Sequence, residues 1–404
     1  MWKKIFPVFY VLFLVAILLY GRLFVVGPFT LRHIATVLMW AVLILSNKAP
    51  KMDKYFSLYI VFVLFYLLSG VVTGYAGAAF KRVLGYYLVC YVAYFATRYL
   101  VQEFSRGVSV VLFAVLAIGF FDAFITYGQS RDMFVTNYLT SLIGLHPDEE
   151  FLEEQLAGRI DSTSFIPGLF GTVSNGYYLM VTVLLSLAMQ HKKWSIVGIA
   201  GTALSLLGVF LVQERSSLFL AVFLGAYLVY HLLKSKSTGT LRPLVIAIFL
   251  IVLLFVGNYA MERLMEGESR IAQVGMDSTG RDALWARSIA YIVQNPIFGG
   301  FDRLAETGVF PHNVFLNAYV YGGLIGFVVI VYLLYIQFNL LWKIYKHANR
   351  ESFVLLTFAV AYVAFTLNSM LHNASIVSGD VLLWILWGVI VSCAYIPYQA
   401  KRQP

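Results

Sequence analysis

The stretch FPHNVFLNAYVYGGLIG, residues 310–326, sets a histidine and an asparagine, His312 and Asn313, at the head of an apolar run that carries a Gly-Gly pair. An imidazole titrates near neutrality, so His312 can anchor a helix at an interface, cap it, or take a proton during chemistry. Arg215 lies in VQERSSLFLAVFL beside Glu214, between two apolar runs that leave almost no loop. Arg281 opens the RDALWARSIAYIV stretch, one helical turn before Trp285 on the same face. Lys81 and Arg82 precede another apolar run; His372 closes one, and Asp380 opens the next. The arginine fork suits a phosphate or carboxylate, and ionisable groups at membrane depth are costly and therefore often functional. Each residue also has a bland reading. Glu214 can simply pair with Arg215, Lys81 and Arg82 can snorkel to headgroups, and Arg281 can be an exposed helix start. The convergence of several on one side argues for more.

The elements that must position these groups follow from composition. Of the 404 residues, 60% are hydrophobic and only 12% charged, with mean hydropathy +0.80; a soluble domain carries about 25% charged residues. The expected fold is an all-α, polytopic transmembrane bundle of about twelve spans. The candidates lie near 5–20, 29–46, 55–73, 83–100, 107–127, 166–190, 194–212, 216–233, 243–258, 313–341, 352–371 and 380–397. The second and fourth are weakest, because Arg32 with His33 and Lys81 with Arg82 sit at their starts. The N-terminal segment reads as a retained first span, since no small-residue cleavage site follows it. Residues 1–404 read as one integral membrane domain without repeat or linker. Cys90 and Cys393 lie inside apolar runs and lack disulfide or metal spacing.

Lysines and arginines orient such a chain. With both termini cytoplasmic, every short inner loop holds basic residues, whereas the outer side is basic almost purely through arginine. Two outer loops are long. Residues 128–165 contain the acidic stretch HPDEEFLEEQLAGR. Residues 259–312 contain a short helix near 281–294, started by Thr279-x-x-Asp282, striped by Leu284, Trp285, Ile289 and Ile292, and ended by Asn295-Pro296 and Gly299-Gly300. That helix lies on the outer membrane face or against the bundle. All the polar candidates above fall on the outer side.

The chain has no GxxxxGK[ST] loop, GxGxxG, HExxH, CxxC or Asp-x-Asp pair. ATP hydrolysis, dinucleotide binding and zincin chemistry are thereby excluded, and no metal or cofactor is expected. STGRDALW, NPIFGGFD and PHNVFLNAYVYGGLIG in order, with the arginine of QERSSL and GLFGTVSNGYY upstream, resemble the O-antigen ligase and polymerase superfamily over roughly residues 160–335. The resemblance implies a glycosyltransferase of the bacterial inner membrane, with its active site facing the periplasm. Its donor would be an undecaprenyl-diphosphate-linked oligosaccharide and its acceptor a glycan or lipid A-core. Membrane lipids and a chain-length regulator protein are further implied partners; no nucleic acid is.

By the same resemblance, Arg215 and Arg281 take the places of the family's two arginines and His312 that of its histidine. The two arginines would stabilise charge on the departing diphosphate, and His312 would accept the proton of the attacking sugar hydroxyl. Attack opposite the leaving group inverts the anomeric centre. Asn313, Lys81, Arg82, Trp285, Glu214, His372 and Asp380 are the candidate substrate-binding residues around them. The ligase branch usually has a serine where Asn313 stands, and the polymerase's arginine-to-glycine loop repeats do not match cleanly. The acidic 128–165 loop would repel a phosphorylated lipid A-core, which favours polymerase over ligase. A lipid-linked glycan transporter is the rival from another class, disfavoured because the polar residues gather at the rim rather than at the midplane.

Overall fold

A computed structural model describes residues 2–18, 30–46, 52–131, 133–142, 168–169, 172–189, 195–212, 214–234, 254, 281–300, 311–347, 353–371 and 375–400. Among these residues every regular element is a helix. Three helical stretches are long and apolar enough to cross a membrane, Lys54–Val72, Gly107–Ser130 and Val314–Lys346, and seven shorter helices are apolar as well. Eleven of the segments expected as spans coincide with helices. The exception, 243–258, lies outside the described residues but for 254, as does the acidic stretch 146–159.

In chain order the helices are α1 (Trp2–Leu18), α2 (Leu31–Leu45), α3 (Lys54–Val72), α4 (Ala76–Arg82), α5 (Leu88–Glu103), α6 (Gly107–Ser130) and α7 (Phe134–Leu142). They continue as α8 (Thr172–Met189), α9 (Ser195–Val212), α10 (Arg215–Lys234), α11 (Arg281–Gln294), α12 (Val314–His347), α13 (Phe353–Asn368) and α14 (Val381–Ala400). Packing is pairwise: α3 lies along α12, α8 along α9 and α13, α5 along α14, and α10 against α8.

Local chemistry sets several of the helix starts. Asp53 accepts from the Tyr55 and Phe56 N–H groups, each at 3.0 Å, and so caps α3. Thr30 and His33 close a reciprocal capping box on α2, with Thr30 N donating to His33 Nδ1 at 3.1 Å. The histidine that weakened this span as a sequence is therefore the reason its helix starts where it does. The fourth span differs from expectation in a different way. Lys81 and Arg82 do not open it; they end α4, which passes through a π-helical turn, Val83–Tyr87, straight into α5. Single π turns of this kind recur at functional sites.

The core is aromatic. Trp384 of α14 packs against Tyr59 of α3 with ring centroids 4.5 Å apart, and Phe56 stacks on Tyr94 of α5 at 5.2 Å. Such offset and edge contacts add about 0.5–1.5 kcal/mol per pair beyond area burial. One short helix, α11, leaves Ile289 and Val293 exposed while Ser288 is buried, so it packs on α12 along one face and is apolar on the other. The two placements expected for it, on the membrane face or against the bundle, are thus compatible.

Candidate functional site

α12 is not one straight rod. Gly323 has φ 64 and ψ −167, which breaks the helix nine residues after its start. A break in a helix frees backbone donors that must find partners elsewhere. The turn after α11 supplies one, because Leu324 N donates to the Ile297 carbonyl at 3.1 Å. That close passage explains the glycines. A Cβ on Gly323 would stand 2.1 Å from the Ile297 carbonyl oxygen, and one on Gly299 would stand 2.3 Å from that of Tyr319. Tyr319 Oη donates to the Pro296 carbonyl at 2.7 Å, and Ser69 Oγ of α3 donates to the Phe298 carbonyl at 2.5 Å. NPIFGG and YVYGG are therefore two halves of one seam.

The short first half of α12 is fixed at its head as firmly as at its break. Asn313 Oδ1 accepts from Phe315 N at 3.0 Å and Leu316 N at 3.2 Å, so Asn313 is the N-cap. Its Nδ2 donates to the Met370 carbonyl at 3.1 Å, and Val314 N donates to the Ser369 carbonyl at 3.1 Å. The helix head is thereby tied to the end of α13. Between these ties sits His312, half-buried, with φ 50. It is the only non-glycine with positive φ among the described residues. Such a conformation is sparsely populated and is retained where the surroundings over-determine it, often at functional sites. Trp285 Nε1 of α11 donates to the Pro311 carbonyl at 2.7 Å, so the residue before His312 is held as well.

The other candidates divide by position. Arg215 is the first residue of α10 and Arg281 the first of α11; only their backbones are described. Glu214 precedes α10, and Ser217 Oγ donates to its Oε2 at 2.8 Å. Asn368 at the end of α13 donates to Ser217 Oγ at 3.1 Å. Gly176 of α8 makes room for the Glu214 carboxylate, since a Cβ there would lie 1.8 Å from Oε2. Glu214 thus joins α8, α10 and α13 immediately before Arg215. Asp380 caps α14 by accepting from Leu382 N at 3.0 Å. Lys81 is exposed, while Arg82 is half-buried among tyrosines, 5.2 Å from the Tyr321 ring centroid and 5.6 Å from that of Tyr86. Headgroup snorkelling describes Lys81 and not Arg82. His372 lies outside the described residues.

Apart from His372, these residues fall at one end of the bundle, the rim, where α3, α6 and α13 finish and α8, α10, α12 and α14 begin. The contacts give Asn313, Trp285 and Glu214 positioning work: Asn313 and Trp285 hold His312, and Glu214 holds the start of α10. The site had members that the sequence reading left out. Asn317, buried four residues after Asn313, leaves its Oδ1 without a partner, and Tyr321 follows four residues later. The spacing Asn313-x₃-Asn317-x₃-Tyr321 places all three on one helical face, and that signal stood in the FPHNVFLNAYVYGG stretch.

A second rim node explains GLFGTVSNGYY. Asp122 of α6 is fully buried and accepts from Leu169 N at 2.8 Å. With its amide oriented to satisfy both neighbours, Asn175 donates to Asp122 Oδ2 at 2.6 Å and accepts from Thr126 Oγ1 at 2.9 Å. Gln129 Oε1 accepts from Gly168 N at 2.9 Å, and Gly168 adopts φ 55 against Asn175. The motif's glycine and asparagine pin the turn before α8. Comparisons with protein-family models, with curated proteins and with solved structures gave no match.

Proposed function

We propose that the chain is a multi-pass glycosyltransferase of the bacterial inner membrane, with about twelve spans and both termini cytoplasmic. It transfers glycan from undecaprenyl diphosphate to an acceptor sugar hydroxyl on the periplasmic side, as an O-antigen or polysaccharide repeat-unit polymerase. The observation that carries the reading is His312, held in a left-handed backbone conformation at the rim where the helices headed by Arg215 and Arg281 also begin. The motif resemblance described above supplies the substrate class.

In the proposed reaction the acceptor hydroxyl oxygen attacks the anomeric carbon of the donor glycan. The bond from that carbon to the diphosphate oxygen breaks, and its electron pair leaves with the diphosphate. A ring nitrogen of His312 takes the hydroxyl proton as the new bond forms, a contribution worth roughly 10²–10⁴-fold in rate. Arg215 and Arg281 stabilise the charge developing on the leaving group. The donor is already activated, so the step needs neither nucleotide nor metal.

The test is the lipopolysaccharide pattern of a deletion strain complemented with His312→Ala or Arg215→Ala. The reading expects single repeat units on core, with the variant proteins inserted at wild-type level. Bare core with accumulated lipid-linked polymer would instead identify the ligase, joining glycan to lipid A-core. Normal long-chain product from the His312→Ala strain would sink both.

A further inference from the structure

Arg215 and His312 stand at the heads of two different helices, and one short segment of chain holds both heads. Asn368 closes α13, and its side chain is buried beside that of Ser217. Asn368 Nδ2 donates to Ser217 Oγ at 3.1 Å, and Ser217 Oγ donates to Glu214 Oε2 at 2.8 Å. Arg215 follows Glu214 as the first residue of α10. A hydroxyl has one hydrogen to give, so the relay runs in one direction, from amide to hydroxyl to carboxylate. Asn368 Oδ1 has no hydrogen-bond partner among the described residues, so the amide acts here through its donor alone. The next two residues hold the other head. The Ser369 carbonyl accepts from Val314 N and the Met370 carbonyl from Asn313 Nδ2, each at 3.1 Å.

The segment is braced well enough to transmit a position. Ser369 N donates to the Phe365 carbonyl at 3.0 Å, Met370 N to that of Leu367 at 3.1 Å, and Leu371 N to that of Asn368 at 3.0 Å. Ser369 Oγ closes on the Thr366 carbonyl at 2.6 Å. Tyr177 of α8 packs edge-on against Phe365, with ring centroids 4.9 Å apart. A shift of Asn368 therefore carries Ser369 and Met370 with it. The ties are not local: Ser217 lies 151 residues from Asn368, and Asn313 lies 57 from Met370. The helix headed by Arg281 reaches the same place by its own tie, Trp285 Nε1 to the Pro311 carbonyl. His312 stands between the two ties.

We infer that Asn368 is a positioning residue. Through Ser217 and Glu214 on one side, and the Ser369 and Met370 carbonyls on the other, it sets the head of α10 against the head of α12. The spacing between the residue that steadies the leaving group and the base is thereby fixed by the end of α13. The inference rests on the transferase reading for what that spacing serves, and the tie itself is measured without transfer, so each can fail alone.

The test follows amide hydrogen exchange of the full-length protein in phosphatidylcholine nanodiscs, at the heads of α10 and α12, with α5 as control. Asn368→Leu keeps the side chain's shape and removes its donor. Exchange should rise about tenfold at both heads, with α5 unchanged. Ser217→Ala, the milder break, should move both heads the same way, and it decides the tie should Asn368→Leu fail to insert. Asn368→Asp with Glu214→Gln runs the relay backwards, from an amide at 214 through the hydroxyl to a carboxylate at 368. That pair should return both heads close to wild-type exchange. Loosening of the α10 head alone would overturn the inference, as would a paired variant no better protected than Asn368→Leu. Turnover is read on lipid-linked oligosaccharide isolated from the deletion strain. Asn368→Leu should lower kcat about tenfold or more, because small misplacements of reacting groups are costly, and leave KM little changed. A raised KM with unchanged kcat would overturn the positioning role. A wild-type protein without transfer would overturn the transferase reading, and exchange at the two heads would still decide the tie.

Discussion

Arginine meets tyrosine at both ends of this bundle, with opposite consequences. Away from the rim, Arg98 lies 2.7 Å from Asp53 Oδ2, and their side chains are only 8% and 10% exposed. Tyr94 Oη donates to the same carboxylate oxygen, while Asp53 Oδ1 caps α3. Each lone pair has an assigned partner, so the cluster works as a clamp between α3 and α5. At the rim, Arg32 and Arg82 both lie over the ring of Tyr86, an exposed tyrosine. The same residue types close on a carboxylate in one place and gather on an aromatic ring in the other. A closed buried pair is costly to break, whereas a cation–π contact at a partly exposed site is worth only about 0.5–1 kcal/mol.

Breaking the closed cluster should give the largest effect. Asp53→Ala strands Arg98 and removes a cap, an expected loss of roughly 3–5 kcal/mol, visible as a lower thermal midpoint and reduced recovery in detergent. Asp53→Ala with Arg98→Met should recover much of it. Next comes the seam behind the candidate site. Gly323→Ala must hold a left-handed residue, a strain of roughly 1–3 kcal/mol, and must also push the Ile297 carbonyl away; glycan transfer should fall with stability. Asn313→Ala should cost about 1 kcal/mol as a lost cap, yet reduce turnover far more, because His312 loses its tether to Met370. Asn313→Asp keeps the capping oxygen and should lie between the two in both measurements. The smallest stability change should come from Arg82→Gln, about 1 kcal/mol or less. A thermal shift as large as that of Asp53→Ala would place Arg82 with the structural clamp and end the contrast.

How far this was legible in the sequence depends on the distance over which each residue acts. The helix over 281–294 agrees with the expected one because its start signal, stripe and Asn-Pro stop are local. His312 and Asn313 as a helix head were legible for the same reason. The Gly-Gly pair stood in the apolar run with no sign of what would lie against it. That its neighbour would be the NPIFGG turn required folding to bring Ile297 against Gly323. Arg82 read as the start of a span, since nothing in sequence announces a π turn that carries α4 into α5. Asn317 and Tyr321 lay in plain view at four-residue spacing, but their significance came from burial and from Arg82.

By itself, then, the sequence determined an apolar helical chain, the positions of its helix heads and breakers, and the residue types able to bind phosphate or move a proton. These follow from composition, periodicity and capping, which act within a few residues. Only the tertiary structure decided that Asp53 closes Arg98 while Arg82 lies against Tyr86 and Tyr321. It also decided which asparagine is spent on a cap and which keeps an unmatched oxygen. Those outcomes depend on partners tens to hundreds of residues away, such as Asp53 with Arg98 and Arg82 with Tyr321, and no local pattern encodes them.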